Sequence, residues 1–357
     1  MEMRLINLGF TDSIYKKTEL YPGLYPGRVI GQNMELYKVA TTTGEIIGEI
    51  SGKLRHLATK MTDYPTVGDF VLIDRIKQSQ GNAIIHQILT RQSLIVRKAA
   101  GAGHEVQIIA ANIDNIFICM SLNNDFNIRR LERYLSISFD SGATPVIVLT
   151  KVDLCDNLEE KLSEVEKVAV GVDIVITSGL ISDGYQDILK YILPGKTVAF
   201  IGSSGVGKST LINRLLGEDM QETKEIRKDD KGRHATTSRD LKLIPTGGAV
   251  IDTPGMRELG LESVSLNKAF NDIAELSKNC KFNDCQHENE PGCKVKKAIE
   301  DGTLDEERLI SYQKLKKEAK YEGLNSKQIE KEKIDEMFSH FGGIKNARDF
   351  TKGKNKK

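Results

Sequence analysis

The chain has 357 residues, with 51 Lys and Arg against 50 Asp and Glu and a formal net charge of +1. That balance excludes a global electrostatic pull toward nucleic acid, so any basic surface must be local, and the length implies about two or three domains. The longest apolar run, Val106 to Leu122, is broken by Asn112, Asp114 and Asn115, so no span of a membrane is expected; nor does MEMRLINLGFTDS read as a secretory leader, and a cytoplasmic protein is expected.

Residues 1–24 read as an N-terminal extension with at most one helix. Residues 25–100 change character. GRVIGQNMELYKVAT, GEIIGEISGKL, VGDFVLIDRI and NAIIHQILTRQ are short β-rich pieces separated by Gly, Asn, Asp and Pro turns. Four or five such strands suggest a small β-barrel of the oligonucleotide-binding (OB-like) type. Lys53, Arg55, His56, Lys60, Arg75, Arg91, Arg97 and Lys98 lie on its polar edges and are read as residues able to follow a phosphate backbone.

From 101 to 260 strands and helices alternate, which implies a mostly parallel sheet covered on both faces. Strands are expected at 113–120, 145–149, 173–176, 197–201, 241–244 and 249–251, and helices at 128–139, 158–170 and 185–192. After Gly260 the chain turns helical and charged. Residues 261–357 are read as a helical metal-binding domain with a basic tail ending GKNKK.

The stretch KTVAFIGSSGVGKST carries the clearest chemistry. An apolar strand empties into Gly202, Ser203, Ser204, Gly205, Val206, Gly207, Lys208, Ser209 and Thr210, the pattern of a phosphate-binding loop. Glycines turn backbone N–H groups inward, Lys208 reaches the outer phosphates, and the Ser209 hydroxyl can ligate magnesium. Thr150, Lys151, Val152 and Asp153 follow another strand. A carboxylate there accepts from guanine N1–H and the 2-amino group, which adenine lacks, while the Lys151 stem covers the ring. Ser178 and Gly179 end the next strand, where a backbone N–H can meet guanine O6. Asp252 and Gly255, in DTPG, are expected to hold magnesium through water and to sense a γ-phosphate, and Thr236 or Thr237 offers a second hydroxyl.

Five Cys occur, an odd number, and CKFNDCQHENEPGC places Cys280, Cys285, His287 and Cys293 at spacings of five, two and six. Three thiolates and an imidazole match a closed tetrahedral zinc site of structural type. Cys119 and Cys155 read as packing residues.

These elements are those of a small GTPase in rotated order: TKVD and TSG precede GSSGVGKS, and GRHATT and DTPG come last. With a barrel before and a Cys/His module after, the chain resembles the circularly permuted, ribosome-small-subunit-dependent GTPases of bacteria, from Gly27 to about Glu318. The resemblance implies a monomer that hydrolyses GTP to GDP, contacts the small (30S) ribosomal subunit and its RNA, and assists or checks late maturation of that subunit. A nucleotide-switched RNA-binding scaffold is the alternative. Thr150 stands where most GTPases have Asn, Ala235 where the family often has Thr, and Met256 where many GTPases carry a water-positioning Gln. Slow intrinsic hydrolysis, stimulated by the subunit, is therefore expected. His234 is the in-chain candidate for ordering the water; a solvent-exposed or RNA-contacting histidine is the other reading of it.

Overall fold

The computed structural model describes residues 6–77, 81–98, 106–178, 184–217, 239–252, 266–320 and 326–337. The first strands close a barrel. β1 (Tyr25–Asn33), β2 (Leu36–Thr41), β3 (Gly44–Ile50), β4 (Phe70–Ile73) and β5 (Ala83–Ile88) pair in the order β1-β2-β3-β5-β4, and β4 returns to β1. The inward residues, among them Val29, Val39, Ile46, Val71, Ile73 and Ile85, form a core of their own. The piece GRVIGQNMELYKVAT is a hairpin supplying both β1 and β2.

The extension ahead of the barrel holds one helix, α1 (Asp12–Thr18), and it is docked: Leu8, Phe10 and Ile14 are buried, with Phe10 edge-on to Phe70 at 5.3 Å. The short helix α2 (Gly52–Leu57) follows β3, its N-cap Ser51 accepting from the Leu54 N–H. β6 (Leu94–Lys98) and β7 (Val106–Ala111) form a separate antiparallel pair. That hairpin was not legible in the sequence and straddles the boundary expected near residue 100.

The α/β region is a single sheet in the order β10-β9-β8-β11-β13-β12. β8 (Asn115–Ser121), β9 (Thr144–Thr150), β10 (Asp173–Ile176), β11 (Thr197–Ile201) and β13 (Ala249–Asp252) are parallel, and β12 (Arg239–Leu243) is antiparallel, between β13 and the barrel. Alternation along β8 explains the double cover: Ile116, Ile118 and Met120 enter the core under α3 (Ile128–Ser141) and α4 (Leu158–Val168), while Phe117 and Cys119 face the other core. The second face is closed by α5 (Gln186–Leu189) and α6 (Lys208–Leu216). The helix expected over 185–192 is confined to α5. Its last residues tighten into i→i−3 bonds, Tyr191 N–H to Ile188 and Ile192 N–H to Leu189, because the chain must turn back into β11 within a few residues.

Barrel and sheet are continuous. β1 pairs with β12 at Gly31↔Asp240 and Gln32↔Arg239, and a Cβ at Gly31 would stand 2.9 Å from the Asp240 carboxylate, which would have to turn aside. In the C-terminal module α7 (Leu266–Ala269) and α10 (Glu306–Lys320) pack against α3, and α8 (Asn271–Ser277) packs on α7 and on α9 (Lys294–Glu300), with Phe270, Ile273, Leu309 and Leu315 in the shared core. α11 (Ser326–Met337) follows. No described helix is long and apolar enough to cross a membrane.

Candidate nucleotide site and metal cluster

The strand order decides where a ligand sits. β8, β9 and β10 run outward on one side, and β11 lies on the other side of β8. Such a switch point opens a crevice at the carboxyl ends of the strands. Those ends carry Thr150 (β9), Thr177 and Ser178 (after β10), Gly202 (after β11) and Asp252 (end of β13). Segments distant in the chain therefore meet at one rim.

The phosphate loop follows β11, which is buried along its length. Gly202 has φ +146° and passes so close beneath β8 that a Cβ would stand 2.4 Å from the Cys119 carbonyl; only glycine fits. Gly207, at φ +102°, turns the chain into α6, whose N-terminus opens toward the loop. The Lys208 ammonium donates to the carbonyls of Gly202 at 2.7 Å and Ser203 at 2.6 Å, which sets the cation at the mouth of the loop. Val206 is buried beneath it, while Ser204, Gly205 and Ser209 are exposed and Ser203 and Thr210 half-buried.

TKVD is bolted to this loop. The buried Thr150 hydroxyl donates to the Val206 carbonyl at 2.6 Å, a role within the protein rather than toward a base. Lys151 takes a left-handed conformation, φ +58°, sparsely populated for a residue with a side chain and typical of sites where position outweighs strain. It turns the chain into a 3₁₀ turn, Val152–Leu154. Asp153 lies there, exposed, and its Oδ1 accepts from the buried Ser178 hydroxyl at 2.6 Å. The Thr177 N–H to Leu149 carbonyl bond, 2.7 Å, fixes the two strand ends together. The carboxylate is thus oriented from the neighbouring strand, leaving acceptor capacity at the rim.

Gly179, His234, Thr236, Thr237, Gly255 and Met256, and the side chain of Asp252, lie outside the described residues. The backbone of Asp252 pairs with Asp240 at the end of β13.

Part of the expected basic edge of the barrel is otherwise engaged. Arg91 grips the buried Asp69 with two N–H groups, both at 2.7 Å, and donates to the Thr62 and Tyr64 carbonyls; it is a strut of the barrel. Arg55 forks onto Glu35 and Arg75 pairs with Asp74. Lys53, His56 and Lys60 are exposed. The side chains of Arg97 and Lys98 lie outside the described residues.

In the C-terminal module, Cys280, Cys285, His287 and Cys293 bring their ligand atoms within 4.8 Å of one another. The Sγ of Cys293 stands 3.4 Å from His287 Nδ1, and the Sγ of Cys280 lies 3.8 Å from Nδ1 and 3.9 Å from Cys293 Sγ. A tetrahedron with metal–sulfur bonds of about 2.3 Å has edges of about 3.8 Å, so the donors fit a metal ion. Other contacts prepare them. Ser277 donates its hydroxyl proton to the Ile273 carbonyl at 2.7 Å, so at 3.0 Å it accepts from His287 Nε2–H, turning the Nδ1 lone pair toward the thiols. Burial pushes the Cys280 thiol up, but N–H groups of Lys294 and Val295 outweigh it and leave its pKa below the ordinary value. Sequence reasoning found the four ligands but not Ser277, which has no spacing signal.

The family model of the RsgA GTPase matches residues 88–262. An ABC-transporter model also matches 185–343, a range that includes the strand, phosphate loop and helix that many nucleotide-binding folds share. Over 98% of its length the chain is 51% identical to the small ribosomal subunit biogenesis GTPase RsgA 2 of Lactiplantibacillus plantarum, covering 98% of that protein. It is 43% identical to the RsgA of Methanosarcina acetivorans, over 96% of this chain and 93% of that one. Among solved structures, YjeQ from Thermotoga maritima superposes with a TM-score of 0.63 at 27% identity, covering 83% of this chain and 98% of that one. YloQ, a circularly permuted GTPase, gives 0.61 at 27%, covering 84% and 96%. The rotated motif order, the rim that gathers it and these likenesses along nearly the whole chain agree, and the chain belongs to the RsgA GTPase family.

Proposed function

We propose that this chain binds GTP with magnesium at the rim of the sheet, hydrolyses it to GDP and phosphate, and acts in the late maturation of the small ribosomal subunit. The observation that carries the reading is the pair of bonds Thr150–Val206 and Asp153–Ser178, which join a guanine-reading carboxylate to a phosphate loop from which it is distant in sequence. Asp153 accepts from the guanine edge, with the Lys151 stem over the ring and Gly179 near O6. Backbone N–H groups of Gly202 to Thr210 and the Lys208 ammonium hold the phosphates. Ser209, together with Thr236 or Thr237 and a water held by Asp252, serves magnesium, which neutralises charge on the phosphates, and Gly255 senses the γ-phosphate. Met256 cannot orient water, so the chain hydrolyses slowly alone; His234 is the residue assigned to order the water.

The Cys280, Cys285, His287 and Cys293 cluster holds one structural zinc ion, with no open position for catalysis. The protein works as a monomer in the cytoplasm, with ribosomal RNA as its main contact and the subunit as its activator. Names of the relatives, small ribosomal subunit biogenesis GTPases, support the link to the small subunit and to GTP. The test is hydrolysis of GTP and ATP with and without purified small subunits. GTP hydrolysis is expected to rise on the order of 10³- to 10⁵-fold with subunits, the range that assistance in trans supplies, and ATP to remain inert. Equal single-turnover rates with and without subunits would remove the activation; turnover of ATP would remove the guanine assignment.

A further inference from the structure

Helix α3 touches both ends of the molecule's chemistry. On one stripe, Arg130 donates to Asp125 at 2.9 Å and to the Ser203 hydroxyl of the phosphate loop. On the adjoining stripe, Arg129, Glu132 and Arg133 face the C-terminal module. Arg129 donates to Asp305 at 2.6 Å and Glu307 at 3.2 Å, and Arg133 pairs with Glu318 of α10.

Glu132 is the centre of this second set. It is fully buried, and its Oε1 accepts from both Arg129 and Arg308, at 2.9 and 2.8 Å. Arg308, on α10, also forks onto Asp272 at 2.6 and 2.9 Å and stacks over Phe270 at 4.8 Å. A buried charge held this way does not tolerate sliding, because any shift leaves a desolvated carboxylate unpaired. Movement of α3 therefore carries α10 with it.

We propose that Arg130 is a positioning residue of the nucleotide site, holding the phosphate loop through Ser203 and passing the loop's state along α3 to the C-terminal module. This rests on nucleotide binding at the loop, as assigned above. The connecting contacts are side chains of a helix that precedes the loop in sequence. Ser203 is held from two sides, its carbonyl by Lys208 and its hydroxyl by Arg130, so closure of the loop on phosphates is felt at Arg130 first. Reciprocity follows: fixing the module must change nucleotide affinity by the factor with which nucleotide changes the module.

The test uses the full chain and compares hydrogen exchange of the α10 amides without nucleotide, with GDP and with a non-hydrolysable GTP analogue, alongside a fluorescent-nucleotide titration. In the parent protein α10 exchange is expected to shift by about fivefold or more on binding, the lower end for coupled sites. Arg130→Ala should still bind nucleotide but lose the α10 response, and Arg130→Lys should recover part of it. Arg133→Glu should weaken the response, since Glu132 and Arg308 still join the two helices, and Arg133→Glu with Glu318→Arg should recover it. An α10 response in Arg130→Ala equal to the parent's, or no rescue by the double reversal, overturns the proposal. Nucleotide binding with a silent α10 in the parent overturns it while leaving the functional reading intact; absence of nucleotide binding overturns both.

Discussion

The Thr150 hydroxyl lies 2.6 Å from the Val206 carbonyl, so the last residue of β9 supports the phosphate loop from beneath. Both groups are buried, and the bond has no water to replace it. Thr150→Val keeps the shape and removes the donor, a loss of about 1–2 kcal/mol. GDP affinity is expected to fall roughly 5- to 30-fold, with the ratio of GDP to ADP binding unchanged, since the residue supports the loop and does not read the base. Fluorescent-nucleotide titration checks it, and a shift in base preference would contradict the assigned role.

Asp153 is oriented by Ser178 at 2.6 Å. Asp153→Asn exchanges one of the two carboxylate acceptors for an N–H donor, so that it no longer accepts from both guanine N1–H and the 2-amino group. Roughly 100-fold weaker GDP binding is expected, with a gain for xanthosine diphosphate, which presents a carbonyl in place of the amino group. Ser178→Ala should cost about 1 kcal/mol, since it frees the carboxylate without removing it. Competition among GDP, ADP and xanthosine diphosphate decides the matter.

The parts legible in the sequence were those whose meaning is local. The phosphate loop, TKVD and the metal-ligand spacing each sit within a short window, and the strands from 115 to 201 follow buried apolar runs bounded by turns. What escaped depends on partners far along the chain. Nothing near Arg91 announces that Asp69 closes on it, so it read as a nucleic-acid contact. The helix over 128–139 was legible, but nothing in the run Arg129, Glu132, Arg133 points to its partners Asp305, Arg308 and Glu318. β6 and β7 were missed because the glycines between them resemble a linker.

The metal cluster depends on a hydroxyl outside it. Ser277 accepts from His287 Nε2–H at 3.0 Å, so Ser277→Ala releases the tautomer that points Nδ1 at the thiols. Metal affinity is expected to drop by about 10- to 100-fold, read by competition with a chelating dye, while Cys280→Ser abolishes stoichiometric binding. Acid acts in the same direction. Burial, helped by Lys316, holds the His287 pKa below its ordinary 6.5, so the unfolded chain takes up a proton first. Stability of the module is therefore full above about pH 6.5 and is lost as pH falls through the folded value. Thermal unfolding followed across pH 5 to 8 should show a midpoint that rises with pH; a flat midpoint would exclude His287 from the module's energetics.

Arg28 is buried in full, and its guanidinium donates to three carbonyls: Leu8 of the extension, Gly68 of the barrel and Asn112 after β7. It stacks over Phe70 at 4.7 Å, and no carboxylate among the described residues bonds to it directly. Burial lowers its pKa to about 10, against the pull of Asp114 and Asp69, so it stays charged at neutral pH and its three contacts offset the desolvation. Lysine carries the charge but not the planar fork, and cannot reach three carbonyls in different directions. Arg28→Lys is expected to destabilise by about 2–4 kcal/mol, the cost of leaving buried polar groups unpaired. The loss should be local, because Asn112 precedes the amino end of β8 and the nucleotide rim lies at the carboxyl ends of the strands. Limited proteolysis is expected to cut the variant ahead of Tyr25 under conditions that leave the parent intact, while GDP affinity stays within about twofold. If the extension remains protected and the melting midpoint is unchanged, the three carbonyl contacts do not hold the N-terminal segment to the barrel.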